Sequence, residues 1–322
     1  MMPEAKPMKP MRLVFGETLC DLAEEFRDMV VLDADVSSST QTKPFGCKYP
    51  DRFFNFGIAE ANMVGAAAGM AACGLVPVVS TFAFLITLRA GDQVRSLIAY
   101  NRLNVKLAAG YAGLSDYADG ASHQSVFDLA AVRAMPNMTV LVPSDIETTR
   151  GAVRAMLEYG GPVYLRLSRD YVGSFHGGNE SFAVGGARLI CDGCDVTIAV
   201  CGTLLPYAIE AAEHLKKRGI TAAVLEFPTI KPFDNDMLLK YARKTGAVVS
   251  VEEHSVVGGL GGAVAECIAD ACPVVLKRVG IKDTFAESGS YTELLERYGL
   301  TTRHIIKAVE DVLSNNIHKK CI

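Results

Sequence analysis

The sequence predicts an α/β protein, in which a doubly wound parallel sheet is followed by a smaller α/β domain. Short, nearly continuous apolar runs alternate with segments of helical periodicity, a pattern typical of parallel strands covered on both faces. The chain has 322 residues, of which 50% are hydrophobic, and this is enough for two compact domains. A glycine- and serine-rich stretch, residues 171–186, separates two such series.

The first series contains the elements of the larger domain. They are, in order, a helix over 16–26, the strand 29–35, a helix that opens near Glu60, the strand 76–80, a helix through 92–100, the strand 105–109, a helix after Ser125, the strand 138–142, a helix that starts with a capping box over 144–147, and the strand 162–166. Loops at the carboxyl ends of such strands are where functional residues are expected.

The second series is shorter and begins beyond the linker. Its predicted elements are the strand 195–202, a helix over 204–218, and the strands 221–227, 247–253 and 274–280. The sequence therefore predicts four regions, which are a flexible N-terminal arm at 1–11, a first α/β domain at 12–172, a linker at 173–187 and a C-terminal α/β domain at 188–322.

Composition argues against several function classes. The formal net charge is −4 and no long basic run occurs, so nucleic acid is not expected as a partner. The N-terminus lacks a continuous apolar core, and neither a signal peptide nor a membrane anchor is predicted. Nine scattered cysteines fit the reducing cytoplasm better than a disulfide framework. Cys191 and Cys194 form a lone pair at a predicted turn, which we interpret as structural rather than as a zinc site.

The segment 53–74 is the most informative part of the chain. Its sequence is FFNFGIAEANMVGAAAGMAACG, and it predicts a short strand that stops at Gly57 and a helix with Glu60 in its first turn. A glutamate at this position can simply be favourable to the helix dipole. The small residues behind it allow another helix to approach closely, which suits a subunit interface or tight packing on the sheet of the same chain.

Several motifs together resemble the pyrimidine-binding domain of transketolase. They are FFNFGIAEANM, VSTFAF, DQVR, DGASHQ, PNMTVLVPSD and GPVYLRLSR, while EEHSVVGGLGGAVAE resembles the transketolase C-terminal domain. The resemblance covers residues 12–313, and the motifs agree in both sequence and spacing. The sequence contains no Gly-Asp-Gly, and its one Asn-Asn pair, at 315–316, lies far from the expected place. The chain therefore resembles the C-terminal subunit of a split transketolase.

The resemblance implies a set of partners and cofactors. It implies thiamine diphosphate together with Mg²⁺ or Ca²⁺, and places no metal ligand on this chain. The metal ligands are expected on a separate diphosphate-binding subunit, with which such a chain forms an α2β2 heterotetramer and thereby associates with a second copy of itself.

The resemblance also implies roles for residues near the cofactor. Glu60 is expected to bind the aminopyrimidine ring and to act in catalysis. Phe82 is expected to stack on the ring, although a core aromatic would look the same. Leu85 stands where many transketolases have an aromatic residue, and it predicts an aliphatic wall. Asp35 matches an acid near the cofactor, or else caps a loop.

Substrate binding is implied for a second set. His123 and Asp119 match residues that bind sugar hydroxyls and assist proton transfer. Arg12, Ser39 and Arg169 match positions that hold the terminal phosphate, and guanidinium groups suit a tetrahedral oxyanion. Tyr111 replaces a substrate-binding histidine. This departure leaves the sugar open, with a sulfonated or branched ketose as the alternative to a pentose phosphate.

These implications predict ketol transfer between sugar phosphates. A decarboxylating relative, such as 1-deoxy-xylulose-phosphate synthase or a 2-oxoacid dehydrogenase beta subunit, is the alternative enzyme, and a non-catalytic regulatory subunit is the alternative of another class. The run Gly258–Gly262 lacks the lysine of a phosphate-binding loop, so we expect a closely packed helix N-terminus there. Glu252, Glu253 and His254 are expected to make interdomain or intersubunit hydrogen bonds.

Overall fold

The structure is a computed structural model that describes residues 8–175 and 182–320, with side chains as far as Ser314. Most of the predicted N-terminal arm, residues 1–7, and the middle of the predicted linker, residues 176–181, lie outside the described residues. None of the described helices is long and apolar enough to span a membrane.

Strands and helices alternate along the chain. The strands are β1 Lys9–Pro10, β2 Met29–Asp33, β3 Phe53–Asn55, β4 Val76–Phe82, β5 Lys106–Gly110, β6 Thr139–Leu141, β7 Val163–Arg166, β8 Tyr171–Val172, β9 Arg188–Cys191, β10 Val196–Val200, β11 Ala222–Glu226, β12 Thr229–Lys231, β13 Ala247–Ser255 and β14 Val275–Ile281. The α-helices are α1 Met11–Leu22, α2 Ser37–Thr40, α3 Lys43–Lys48, α4 Glu60–Ala72, α5 Gly91–Gln93, α6 Asp128–Ala134, α7 Ile146–Glu158, α8 Leu205–Lys216, α9 Asn235–Thr245, α10 Leu260–Ala271, α11 Tyr291–Arg297 and α12 Thr302–Lys320.

Two main sheets confirm the predicted fold class. The first has the order β12-β6-β7-β5-β4-β2-β3, and every neighbouring pair is parallel except β12–β6. The second has the order β14-β13-β10-β11-β9 and is parallel except at β9. Their central strands are fully buried, because helices cover both faces of each sheet.

One strand crosses the predicted domain boundary. Residues 188–322 were assigned to a separate C-terminal domain, yet β12 pairs with β6 at the edge of the first sheet. This pairing gives hydrogen-bond partners to backbone groups of β6 that would be unpaired at an exposed sheet edge. Neither β12 nor β9 was predicted, because both runs are short and pair antiparallel with neighbours distant in sequence.

The end of the predicted N-terminal arm is ordered in the structure. Strands β1 and β8 pair antiparallel, with Lys9 opposite Val172, and the amide of Met11 donates to the carbonyl of Asp170 at 3.0 Å. Residues 9–11 thus belong to the first domain, since they hydrogen-bond to the segment that follows β7. The same pairing makes Tyr171 and Val172 part of a two-stranded ribbon.

Two local helix predictions need correction. The capping box of α7 is formed by Asp145 and Thr148 rather than by Ser144 and Glu147, and the Asp145 carboxylate accepts from the Thr148 amide at 2.7 Å. The Ser144 hydroxyl is engaged instead by the buried Glu226. The predicted helix through 92–100 is α5 followed by a π-helical turn, Val94–Ala99, and a second π-helical turn, Leu85–Arg89, precedes it.

Buried polar groups join the two domains. Glu253, on β13, accepts hydrogen bonds from the Leu114 amide at 2.6 Å, the Thr203 hydroxyl at 2.7 Å and the Tyr291 hydroxyl at 2.6 Å. Leu114 belongs to the first domain, so this carboxylate makes the interdomain contacts expected of the 252–254 segment. Burial raises the pKa of Glu253, while the Arg166 guanidinium and these donors lower it.

We expect Glu253→Ala to destabilise the protein by at least about 1–3 kcal/mol, because it leaves the buried Leu114 amide and the hydroxyls of Thr203 and Tyr291 without their acceptor. The measurement is the free energy of unfolding by chemical denaturation. Glu266→Ala is the matched control, since Glu266 pairs with Arg133 while its side chain is 66% exposed, and exposed pairs contribute about 0–1 kcal/mol. The Arg133–Glu266 pair also joins the two domains, so equal losses in the two variants would show that the buried contacts of Glu253 contribute no more than an exposed ion pair.

Candidate active site

The candidate residues converge on one edge of the first sheet. Asp35 follows β2, Glu60 follows β3, Phe82 ends β4, Tyr111 follows β5 and Arg169 follows β7. These strands are parallel, so their carboxyl ends meet at the same edge. The fold therefore brings side chains from five separate segments toward one surface.

Glu60 is buried at the start of α4, and its carboxylate is 2% exposed. Nη1 of Arg89 donates to Oε1 and to Oε2 of Glu60, each at 3.0 Å. Arg89 ends the π-helical turn that follows β4, and its side chain is 51% exposed. One guanidinium thus holds the buried Glu60 carboxylate at the sheet edge.

A cluster of aromatic side chains lies at the carboxyl ends of β4 and β5. The ring centroids of Phe82 and Tyr111 are 4.3 Å apart with a 31° tilt. His123 packs edge-on against Phe82 at 6.3 Å and against Phe84 at 5.4 Å. The structure therefore brings Phe82, Tyr111 and His123 together, in arrangements that aromatic rings favour. The imidazole also contacts the Ser122 hydroxyl through Nδ1 at 2.9 Å.

Two guanidinium groups flank Tyr111. Nη1 of Arg12 donates to the Tyr111 hydroxyl at 2.8 Å and to the Ser39 carbonyl at 3.0 Å. The guanidinium carbon of Arg169 lies 5.2 Å from the ring centroid of Tyr111 and 5.2 Å from that of Tyr117. Arg12, Ser39 and Arg169 thus lie around one aromatic ring, although Arg12 contacts the carbonyl rather than the hydroxyl of Ser39.

Tyr111 adopts a backbone conformation that is rare for its residue type. Its φ is 59°, in the left-handed region, where a bulky side chain is strained. The strain persists because the surroundings hold the ring between Phe82 and the two guanidinium groups. Such outliers cluster at functional sites.

The polar loop beyond Tyr111 carries a pair of carboxylates. Asp116 is buried and accepts from Nη1 of Arg169 at 3.0 Å, whereas Asp119 is exposed. Burial, and after it the neighbouring Asp119, raises the pKa of Asp116 to about 6, while Arg169 and His123 oppose the rise. Arg169 therefore has an ion-pair partner whose charge changes near neutral pH.

The loop after β2 is organised by Asp33. This buried carboxylate accepts from the Val36 amide at 2.7 Å and from the hydroxyls of Thr40 and Thr42, each at 2.9 Å. Burial raises the pKa of Asp33, and these donors lower it. Asp35 is exposed, and its carboxylate accepts a hydrogen bond from the Asn55 amide at 3.2 Å. Its expected position near a cofactor stays a prediction. Leu85 is buried at the start of its π-helical turn.

At the glycine run, a carboxylate of the protein itself takes the position that a bound phosphate would have. Helix α10 begins at Leu260, as the run predicts, and the Glu252 carboxylate accepts from the amides of Leu260 at 2.7 Å and Gly261 at 2.8 Å. A side chain of the protein thus fills the anion-binding end of this helix. Cys191 ends β9 and Cys194 lies in the turn before β10, where its Sγ is 3.2 Å from the Thr221 hydroxyl.

Two family models match consecutive parts of the chain. Residues 8–173 match the transketolase pyrimidine binding domain, and residues 185–305 match the transketolase C-terminal domain. The chain belongs to the transketolase family. Its fold and order of domains are those that the sequence motifs indicated.

Individual members of the transketolase family are similar over nearly their whole length. The chain is 44% identical to a putative transketolase C-terminal section from Methanocaldococcus jannaschii, covering 94% of this chain and 95% of that one. It is 41% identical to a 6-deoxy-6-sulfo-D-fructose transketolase subunit from a Clostridium species, with 94% of each covered. A solved split gene transketolase, described as an inactive beta4 tetramer, superimposes with a TM-score of 0.87 at 44% identity, over 95% of this chain and 98% of that one.

Sequence reasoning missed several polar residues at this candidate site. Arg89 and Asp116 carry no motif, because their importance depends on Glu60 and Arg169, which are distant in sequence. Asp33 had a usable signal, since a carboxylate ends a buried apolar strand there. Within residues 8–175 and 182–320, no group of three or more His, Cys, Asp or Glu side chains is arranged to hold a metal ion.

We expect Asp116 to control how this site binds anions. Above pH 6 the Asp116 carboxylate is charged and paired with Arg169, and as the pH falls through about 6 it takes up a proton and releases the guanidinium. The dissociation constant of a sulfonated sugar, whose own charge is constant, should decrease as the pH is lowered from 7 to 5. Calorimetry on the assembled protein measures it.

Asp116→Asn is the matched comparison for this prediction. The amide cannot ionise, so the variant should bind the sulfonated sugar tightly at both ends of that range. An equally steep pH dependence in Asp116→Asn would show that another group controls binding.

Proposed function

We propose that this chain is the pyrimidine-binding subunit of a split transketolase, an enzyme that transfers a two-carbon ketol unit from a ketose to an aldose. The observation that carries the proposal is the buried Glu60 carboxylate at the carboxyl edge of the first sheet. Membership of the transketolase family and the relatives described as a C-terminal section and a subunit support it.

The residues present fit the pyrimidine end of thiamine diphosphate. A buried carboxylate suits a hydrogen bond to a ring nitrogen, and an aromatic face suits stacking on a planar heterocycle. Glu60 would hold the aminopyrimidine ring, Phe82 would stack on it, and Leu85 and Asp35 would lie around it. When bound, the cofactor supplies a thiazolium carbon that acts as nucleophile and electron sink. Glu60 contributes the acceptor that positions a ring proton.

The substrate is proposed to lie between His123 and the two guanidinium groups. His123 and Asp119 would bind sugar hydroxyls, and His123 would move a proton to or from a reacting oxygen. Arg12 and Arg169, with the Ser39 hydroxyl, would bind a terminal oxyanion, and Tyr111 would set the shape of the pocket between them. This set suits a phosphorylated sugar, and it also suits a sulfonated one such as the sugar in the name of the Clostridium relative.

A partner subunit completes the proposed enzyme. The Mg²⁺ or Ca²⁺ ion that accompanies the diphosphate would be bound by the partner subunit, in an α2β2 assembly located in the cytoplasm. The description of a related split gene transketolase as an inactive beta4 tetramer supports both self-association and a need for the partner. Among the described residues, exposed apolar side chains near the site, Phe54, Ile58 and Leu88, offer contact surface for it.

We expect Glu60→Gln to lower kcat by about 10²- to 10⁴-fold, the usual contribution of a positioned acid or base. Assembly with the partner should be unchanged, which size-exclusion chromatography checks. Glu147→Gln is the matched control, because Glu147 also lies in the first turn of a helix, α7. Equal effects in the two variants would mean that Glu60 only interacts favourably with the helix dipole.

Reconstitution tests the activity as a whole. The chain is combined with a partner that carries Gly-Asp-Gly and Asn-Asn, and transfer to ribose 5-phosphate is measured from xylulose 5-phosphate and from 6-deoxy-6-sulfo-D-fructose. Product is expected only when both chains, thiamine diphosphate and Mg²⁺ are present. Carbon dioxide release from pyruvate would identify a decarboxylating relative. A stable complex that binds the cofactor but processes none of these compounds would favour a regulatory subunit.

A further inference from the structure

The ion pair between Arg89 and Glu60 is not accounted for by the roles above. Among residues 8–175 and 182–320, the hydrogen bonds to the Glu60 carboxylate come from Arg89 alone, through one nitrogen atom, Nη1. A buried carboxylate without a hydrogen-bond partner is strongly unfavourable, so this contact satisfies both oxygens of Glu60. The orientation of the Glu60 carboxylate therefore depends on Arg89.

The backbone conformation before Arg89 places its side chain next to Glu60. Leu85–Arg89 is a π-helical turn in which the Ala90 amide donates to the Leu85 carbonyl at 3.0 Å. Leu85, Ile86 and Thr87 are buried, and the Thr87 hydroxyl donates to the Ala83 carbonyl at 2.9 Å. Isolated π-helical turns occur frequently at functional sites. Here the buried residues anchor the turn, while Arg89 at its end reaches across to α4.

The Glu60 carboxylate keeps unused hydrogen-bond acceptor capacity. A carboxylate has about four lone-pair positions, and a single Nη1 occupies one side of the two oxygens. The remaining Arg89 donors, Nε and Nη2, are not used on Glu60, and half of the side chain is exposed. Glu60 can therefore accept from a ligand while its contact with Arg89 is retained.

We propose that Arg89 is a positioning residue that holds the Glu60 carboxylate in the orientation in which it accepts a ring N–H of the aminopyrimidine. This inference rests on the proposed function only in that Glu60 faces the pyrimidine end of thiamine diphosphate. It assigns Arg89 a role in activating the cofactor and none in binding the sugar. The positive charge acts through Glu60, so a purely structural contact would not reproduce its effects.

The test compares Arg89→Met and Arg89→Lys in the chain assembled with its diphosphate-binding partner. The readout is the exchange of the cofactor's thiazolium C2 proton for deuterium, followed by quenched-flow NMR, together with the dissociation constant of thiamine diphosphate. Arg89→Met should slow the exchange roughly 10- to 100-fold, the effect of removing one charge-assisted hydrogen bond. Arg89→Lys keeps the charge and should recover most of the rate.

Arg95→Met is the matched control. Arg95 lies in the next π-helical turn, is exposed and contacts the Ser96 hydroxyl, so its removal should leave the exchange rate unchanged. An unchanged exchange rate in Arg89→Met overturns the proposal, as does a lysine variant as slow as the methionine variant. An Arg89→Met chain that folds but does not assemble also overturns it, because Arg89 would then serve the subunit interface.

The exchange measurement separates this proposal from the proposed function. It requires cofactor and partner but no sugar, so a slow Arg89→Met variant supports the positioning role even when no tested ketose is a substrate. Conversely, normal exchange in Arg89→Met together with ketol transfer in the unaltered protein leaves the proposed function intact and removes the role of Arg89.

Discussion

A buried guanidinium at the end of β7 is the group around which the rest of the site is built. Arg166 donates to both carboxylate oxygens of Asp128, at 2.8 and 3.0 Å, and to the carbonyls of Ser125 and Glu253. Burial alone would raise the pKa of Asp128, but Arg166 holds it below its usual value. Such a pair tolerates little displacement, because losing either partner leaves an uncompensated charge in the interior. It therefore ties the polar loop of the first domain to β13 of the second.

That loop, residues 111–125, is held at several points and carries three of the six proposed substrate-binding residues, Tyr111, Asp119 and His123. Its end is held by Arg166 through Ser125, and its middle by Glu253 through the Leu114 amide. Gly113 has a φ of 67°, and a Cβ at this position would collide with the Glu253 carboxylate, so only glycine fits. The C-terminal domain thus positions Tyr111, Asp116 and His123 without being expected to touch substrate itself.

Charge is divided unevenly over the site. Glu60 is buried and paired with one half-exposed arginine. On either side of Tyr111, Arg12 donates to a carbonyl and a hydroxyl, and Arg169 pairs with Asp116. The β1–β8 ribbon brings these two arginines together, since it joins the start of α1 to the segment after β7. An acidic and a basic region on one sheet edge suit a cofactor ring at one end and an anionic sugar at the other.

The amino-acid sequence by itself determined the fold class, most strands of both sheets and the position of Glu60, because apolar periodicity and helix starts are local properties of the chain. The family motifs added Phe82, His123 and the two arginines. Tertiary structure alone decided the contacts with distant partners, namely Arg89 on Glu60, Asp116 on Arg169, and β12 in the first sheet. Such pairs join residues brought together only by strand order and buried charge, and nothing in the sequence around either partner specifies the other.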